Sequence, residues 1–269
     1  MSTNNKIFHF SIRKKPFKVD GALNLEFLNP ELFVGGFNQI LDSIKDMKVL
    51  KNGEKTEIGT IESGLYNINK DKILVKKIKY SGRIKKLSRK IIGSRARYLF
   101  KTSFILLKKG IHVPVPYAYF DNFKNNESYF LSSCIDNAIN LGELFLHKDI
   151  PSFDFTKLAK SVYMMHSKHC VHGDLKWSNL MIRSDGEIFF IDLDNASHTK
   201  SKDINGIRKD LIRFYRFALE VEKEKEIKEL FFNEYFNLCS KSDINAIKPD
   251  YIYKTAFTQW EKNGKRKLN

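Results

Sequence analysis

Acidic residues are missing where this chain is most basic. Between Lys77 and Phe120 there is no Asp or Glu, while twelve Lys or Arg fall in that stretch, the last of them Lys109. Like charges at this density repel one another, so a segment without internal compensation is expected to meet an anionic partner. Cysteine is scarce as well. Cys134, Cys170 and Cys239 are odd in number and far apart, which argues against a disulfide framework and fits a reducing compartment. No run approaches the roughly 18 apolar residues of a membrane-spanning helix. The opening MSTNNKIFHFSIRKK has no apolar h-region, so no signal peptide is expected.

What is present is a folded protein. A hydrophobic content of 42% with 13% aromatic residues excludes a disordered chain, and 269 residues suffice for one large domain or two lobes. The formal charge of +16 points to nucleic acid, an acidic membrane surface or a phosphorylated substrate.

The patterning changes character midway. Strand-like segments dominate the first half: KIFHFSI, KVLK, TEIGTIESGLYNI, KILVKKIKY, VPVPYAYF and ESYFLSSC. ELFVGGFNQILDSIKDM has helical spacing, and Lys86 to Lys109 reads as one long basic helix ended by Gly110. After Asn140 helices take over. SFDFTKLAKSVYMMHSKH has one apolar face through Phe155, Leu158, Val162 and Met165, with Ser152 or Asp154 to cap it. LMIR and EIFFID form a hairpin across Ser184-Asp185-Gly186, and helices follow from about Gly206. The expected architecture is α+β and two-lobed within a single domain, residues 1–269. Residues 1–133 form a mixed β-sheet lobe with one long helix, residues 134–269 form a mainly helical lobe, and a cleft lies between them.

HGDLKWSN, residues 172–179, carries the chemistry. Phosphoryl transfer requires charge positioned on the phosphates, bound metal and a residue that orients the nucleophilic hydroxyl. Asp174 lies on the loop before LMIR, placed to accept a hydroxyl proton. Lys176 can reach the transferred phosphate. Asn179 is a neutral oxygen donor suited to Mg²⁺, and Asp192, closing EIFFID, is the second metal ligand.

HGDLKWSNLMI followed by FFIDLDNA resembles the catalytic and metal-binding loops of the protein-kinase-like superfamily. In its wording it resembles the lipopolysaccharide core kinases, the Kdo/heptose kinase family. ILVKKI resembles the strand that carries the ATP-binding lysine, here Lys76. LLKKGIHVPVPYAY resembles the family's helix end and Gly-x-x-x-Pro-x-Pro turn, and RKDLIRFYR the later helix whose aspartate, Asp210, braces the catalytic loop. The similarity spans residues 56–216. It implies Mg²⁺-dependent transfer of the γ-phosphate of ATP to a sugar hydroxyl of the lipopolysaccharide inner core, a Kdo or heptose residue. It also implies a cytoplasmic enzyme, peripheral on the inner face of the cell membrane, whose basic segment 77–109 docks at the acidic surface.

Two features depart from that pattern. GTIESG supplies Gly59 and Gly64 for the nucleotide loop, without the three-glycine pattern of protein kinases. The helix after Lys76 has no acid to pair with the lysine, and reads Tyr98-Leu99-Phe100-Lys101 where one belongs. Glu62 is a substitute from the loop above. The alternatives are a related small-molecule or atypical Ser/Thr protein kinase, or a catalytically silent kinase-like binding module. Charge alone would suit nucleic acid, but no such motif is recognised and no nucleic-acid partner is expected. The superfamily resemblance makes His172 structural. Asp194 either caps a turn or assists, and Trp177 is either a core anchor or a substrate platform. His166, His169, Cys170 and His172 lack the spacing of a structural zinc motif.

Overall fold

The computed structural model describes residues 7–13, 19–62, 72–81, 93–146 and 153–264. Contacts divide the chain into two units, Met1–Phe104 with Pro114–Cys134, and Ile105–Val113 with Ile135–Asn269. The first is built on a β-sheet and the second is mainly helical, the α+β class expected from the sequence.

The sheet of the first unit has seven strands: β1 (Ile7–Ile12), β2 (Val19–Asn24), β3 (Lys48–Asn52), β4 (Thr56–Glu62), β5 (Lys72–Lys79), β6 (Pro116–Asn122) and β7 (Glu127–Ser133). They are ordered β1-β2-β6-β7-β5-β4-β3, and every neighbouring pair is antiparallel. Side chains alternate between the two faces of a strand, and β6 is buried at every position, so both faces of the sheet centre are covered. On one face Phe120 meets Phe37 edge-on at 5.0 Å, where helices α1 (Pro30–Gly35) and α2 (Phe37–Lys45) bring Phe33, Phe37, Ile40 and Ile44 into the core. On the other, Tyr119 meets Phe100 at 5.3 Å from helix α3 (Arg95–Lys108).

Helix α3 starts later than the sequence pattern suggests. The Ser94 hydroxyl accepts the Arg97 amide at 3.0 Å, a side-chain cap that opens the helix at Arg95. Residues 86–92 of the expected helix lie outside the described residues, as do Arg83, Lys85 and Gly64. Part of the missing acid is supplied across strands. Lys77 pairs with Glu127 at 3.1 Å and Lys79 with Glu57 at 3.6 Å, so those two charges are compensated by the sheet. Arg95, Arg97, Lys101 and Lys108 are exposed along α3.

In the second unit, α4 (Leu141–Leu146) and α5 (Phe155–Ser167) precede the loop HGDLKWSN, and α6 (Ile204–Glu220) follows it. Asp154 caps α5 by accepting the Lys157 amide at 3.0 Å. Strand β8 (Ala138–Asn140) joins β10 (Leu180–Arg183) and β11 (Ile188–Phe190) in a three-stranded sheet ordered β11-β10-β8, while β9 (Cys170–Val171) pairs with β12 (Ser197–His198). A π-helical turn, Ile227–Phe232, leads into α7 (Asn233–Leu238), α8 (Lys241–Ile247) and α9 (Pro249–Lys262). Its Phe231 stacks on Phe214 of α6 at 4.2 Å, which anchors α6. Among the described residues no helix is long and apolar enough to cross a membrane.

Candidate active site

The loop HGDLKWSN is held from below by one carboxylate. Asp210 of α6 is 1% exposed and accepts the His172 amide at 2.7 Å and the Gly173 amide at 2.8 Å, one on each oxygen. Charge-assisted bonds of this kind are worth about 1.5–3 kcal/mol each. Asp210 is itself supported, because His166 Nε2 lies 3.4 Å from its Oδ2 while Nδ1 of the same ring bonds the Tyr235 hydroxyl at 2.8 Å. Burial pushes the Tyr235 hydroxyl pKa well up, so this array ends on a phenol that keeps its proton. Gly173 has φ 76, and a Cβ there would strike the carbonyl oxygen of Asn195. Only glycine lets the loop cross the turn Leu193–Asn195 at that distance.

His172 is buried and its ring serves the backbone: Nε2 donates to the Ile191 carbonyl at 2.8 Å, and Nδ1 accepts the Asp174 amide at 3.3 Å. Trp177 is a core anchor. It is fully buried, donates Nε1–H to the Phe214 carbonyl at 3.1 Å, and packs against Phe145, Phe214 and Phe217 at 5.0–5.6 Å. No face of the indole is left for a substrate.

Asp174, Lys176 and Asn179 come together on this loop. Asn179 is 4% exposed, and its Nδ2 donates to the Asp174 carbonyl at 2.9 Å with a longer approach of 3.4 Å to Asp174 Oδ2. Lys176 Nζ lies 3.6 Å from Asp174 Oδ2. A further cation stands at the same carboxylate: Arg213 of α6 forms an ion pair through Nε with Asp174 Oδ1. The sequence reading did not single out Arg213. The signal was spacing, since residues 210, 213, 214 and 217 fall at i, i+3, i+4 and i+7, one face of a helix. That face supplies the amide brace, the ion pair to Asp174 and two of the rings around Trp177.

Asp192 follows the end of β11 in the left-handed region, φ 57 and ψ 54, a conformation that an aspartate adopts at modest cost. The Ile191 amide beside it donates to the Asn179 carbonyl at 3.0 Å, which ties the two candidate metal-binding segments together. Asp194 sits in the 3-10 turn Leu193–Asn195 that starts there. The donor set fits Mg²⁺. Asn179 is engaged through its nitrogen, which leaves the amide oxygen to a cation, and Asp192 supplies an exposed carboxylate. Mg²⁺ typically takes one or two protein oxygens and completes its shell with phosphate and water. Consistent with so sparse a site, no group of three His, Cys, Asp or Glu among the described residues is arranged to hold a metal.

In the first unit, Lys76 of β5 is 9% exposed and lies opposite Ile58 and Phe130. Val75 points into the aromatic core under α1 and α2, so alternation places Lys76 on the other sheet face, the one that also carries Tyr119 and meets α3. Gly59 lies within β4, where a Cβ would come within 2.8 Å of the Lys48 carbonyl oxygen and the Met47 sulfur. Close approach of neighbouring chain accounts for the glycine at that position. Glu62 ends β4 opposite Lys72 and is exposed.

Comparison with known proteins bears on the family and the fold. A model of the lipopolysaccharide kinase (Kdo/WaaP) family matches residues 99–235, just over half of the chain. A solved structure of WaaP in complex with acyl carrier protein superposes with a TM-score of 0.61 at 16% identity, covering 88% of this chain and 97% of that one. That likeness speaks for the fold. A curated relative from Methanosphaera stadtmanae, described as "Probable bifunctional tRNA threonylcarbamoyladenosine biosynthesis protein", is 28% identical over 187 residues, 68% of this chain, and the chain spans about a third of its length (33%). With a family model matching just over half of the sequence, the chain belongs to the lipopolysaccharide kinase (Kdo/WaaP) family.

Proposed function

We propose that this enzyme transfers the γ-phosphate of ATP to a hydroxyl of a Kdo or heptose residue in the inner core of lipopolysaccharide. The observation that carries this reading is the fixed placement of Asp174, Lys176 and Asn179 on a loop pinned by Asp210, within a chain of this family. In the reaction the acceptor oxygen bonds to the γ-phosphorus while the bond to the β–γ bridging oxygen breaks. ADP leaves, and the hydroxyl proton passes to Asp174. Asp174 orients the hydroxyl. Lys176 offsets negative charge on the phosphoryl group in flight. Asn179 and Asp192 would hold Mg²⁺, which supplies charge neutralisation on the phosphates. Lys76 is the candidate clamp on the non-transferred phosphates and Gly64 the candidate nucleotide-loop glycine, while Gly59, within β4, is accounted for by its packing.

The basic segment 77–109 supports docking on an acidic membrane surface, where a water-exposed enzyme meets a glycolipid acceptor. Arg95, Arg97 and Lys101 are exposed on α3, and each cation near such a surface contributes about 1 kcal/mol. On this reading the protein works in the cytoplasm, peripheral on the inner face of the membrane.

A second reading, a related kinase acting on a protein or small molecule, is favoured by the similarity to the Methanosphaera relative. Labelled ATP offered with inner-core glycolipid, a protein acceptor and small-molecule alcohols separates the two. Label entering the glycolipid supports the first reading, and label entering only the protein or the small alcohols replaces it with the second.

A further inference from the structure

We infer that Arg213 reads a carboxylate on the acceptor, and that binding of this group releases Asp174 for the acceptor hydroxyl. The inference rests on the proposed sugar-kinase activity and names a specificity-determining residue for it.

Asp174 is 15% exposed, and two cations face its one negative charge, Arg213 on Oδ1 and Lys176 on Oδ2. Among the described residues neither cation has another carboxylate partner. One positive charge is therefore uncompensated at this place. Both side chains remain reachable, Arg213 at 42% and Lys176 at 38% exposure, so an incoming anion can meet them without opening the fold.

Geometry then separates their tasks. Lys176 is on the loop itself and is assigned to the transferred phosphate. Arg213 projects from α6, one turn beyond Asp210, and covers the oxygen that Asn179 does not approach. A carboxylate oxygen lying against a guanidinium is poorly placed to receive a proton from an alcohol. For Asp174 to orient the acceptor, Oδ1 must exchange the guanidinium for the hydroxyl. A guanidinium gives up a carboxylate most readily for another planar carboxylate, which its fork of N–H groups can meet bidentately. An acidic sugar carries both groups, the carboxylate that takes over Arg213 and the hydroxyl that takes its place on Asp174. A neutral sugar or water carries only the second, and Asp174 stays covered.

The test uses the full chain, with Arg213→Gln and Arg213→Lys variants and two acceptors, free Kdo and its methyl ester. Thermal melting monitors folding, and Arg213→Lys preserves the charge should the glutamine variant melt early. Arg213→Gln is expected to raise KM for Kdo on the order of tenfold to a hundredfold, the range of a lost charge-assisted bond. KM for the ester is expected to change less than about twofold, well short of that bond. Arg213→Lys should fall between wild type and Arg213→Gln. Acceptor-independent hydrolysis of ATP is expected to rise in Arg213→Gln, because Asp174 is then uncovered for water. Equal effects on acid and ester overturn the inference, as does a change in KM for ATP alone, which would assign Arg213 to the nucleotide. If wild-type enzyme phosphorylates neither acceptor, this inference falls, while the sugar-kinase reading stands or falls separately on transfer to the inner-core glycolipid. If wild type phosphorylates both and the variants show unchanged preference, only the inference falls.

Discussion

Asp210 binds Gly173 through a single hydrogen bond of 2.8 Å from the glycine amide, and its second oxygen holds the His172 amide at 2.7 Å. Helix α6 thereby fixes the height and tilt of the loop that carries Asp174, although the two segments are far apart in sequence. The loop needs this support because Gly173 sits in the left-handed region, where the unfolded chain has much freedom to lose.

Replacing Asp210 by Asn turns an amide N–H₂ toward one of the two backbone donors and leaves that donor buried without a partner. The expected loss is about 3 kcal/mol, the range for breaking a buried charged contact. At roughly 2–4 °C per kcal/mol for a chain of this size, melting should fall by about 6–12 °C. Turnover should fall further than KM, since the loop is displaced rather than the acceptor surface. Thermal denaturation with steady-state kinetics checks both.

Trp177→Phe separates a core role from a substrate role. Phenylalanine retains most of the packing against Phe145 and Phe217 and loses only the bond to the Phe214 carbonyl. Stability should drop by about 1 kcal/mol, read by denaturant titration, with the acceptor KM unchanged. A large rise in KM at unaltered stability would restore the indole to the substrate.

Cys239 should be inert to alkylation at neutral pH. Burial and the nearby Asp243 carboxylate push its thiol pKa up to about 11. A raised pKa keeps the thiol protonated below that value, so at pH 8 the reactive thiolate is on the order of one part in a thousand. Peptide mass spectrometry after iodoacetamide treatment should show slow labelling at Cys239. The rate should climb tenfold per pH unit up to about pH 11 and should increase at pH 8 in Asp243→Asn.

The chemistry that was legible in the sequence was local. Asp174, Lys176 and Asn179 lie within six consecutive positions, so their proximity follows from chain connectivity, and the strand EIFFID could be recognised by composition. Contacts between distant segments were not legible in the same way. Nothing in HGDLKWSN announces Arg213, which reaches Asp174 only because α6 packs beneath the loop. Lys77 and Lys79 looked uncompensated because their acids, Glu127 and Glu57, arrive through strand pairing. Trp177 was ambiguous for a related reason. A buried anchor and an exposed platform have the same residue type, and the carbonyl that decides between them belongs to Phe214. The helical start at Arg95 was missed because periodicity in RIKKLSRKIIG continues smoothly past Ser94, whose capping role depends on where its hydroxyl points.

The most direct test of the whole account is transfer of labelled γ-phosphate from ATP to a Kdo-bearing inner-core glycolipid by wild type, Asp174→Ala and Asp192→Ala. The account predicts label in the glycolipid with wild-type enzyme and a loss of at least about a thousandfold in both variants at unchanged melting temperature, consistent with removal of groups acting on the transition state. Labelling by Asp174→Ala at the wild-type rate would contradict it.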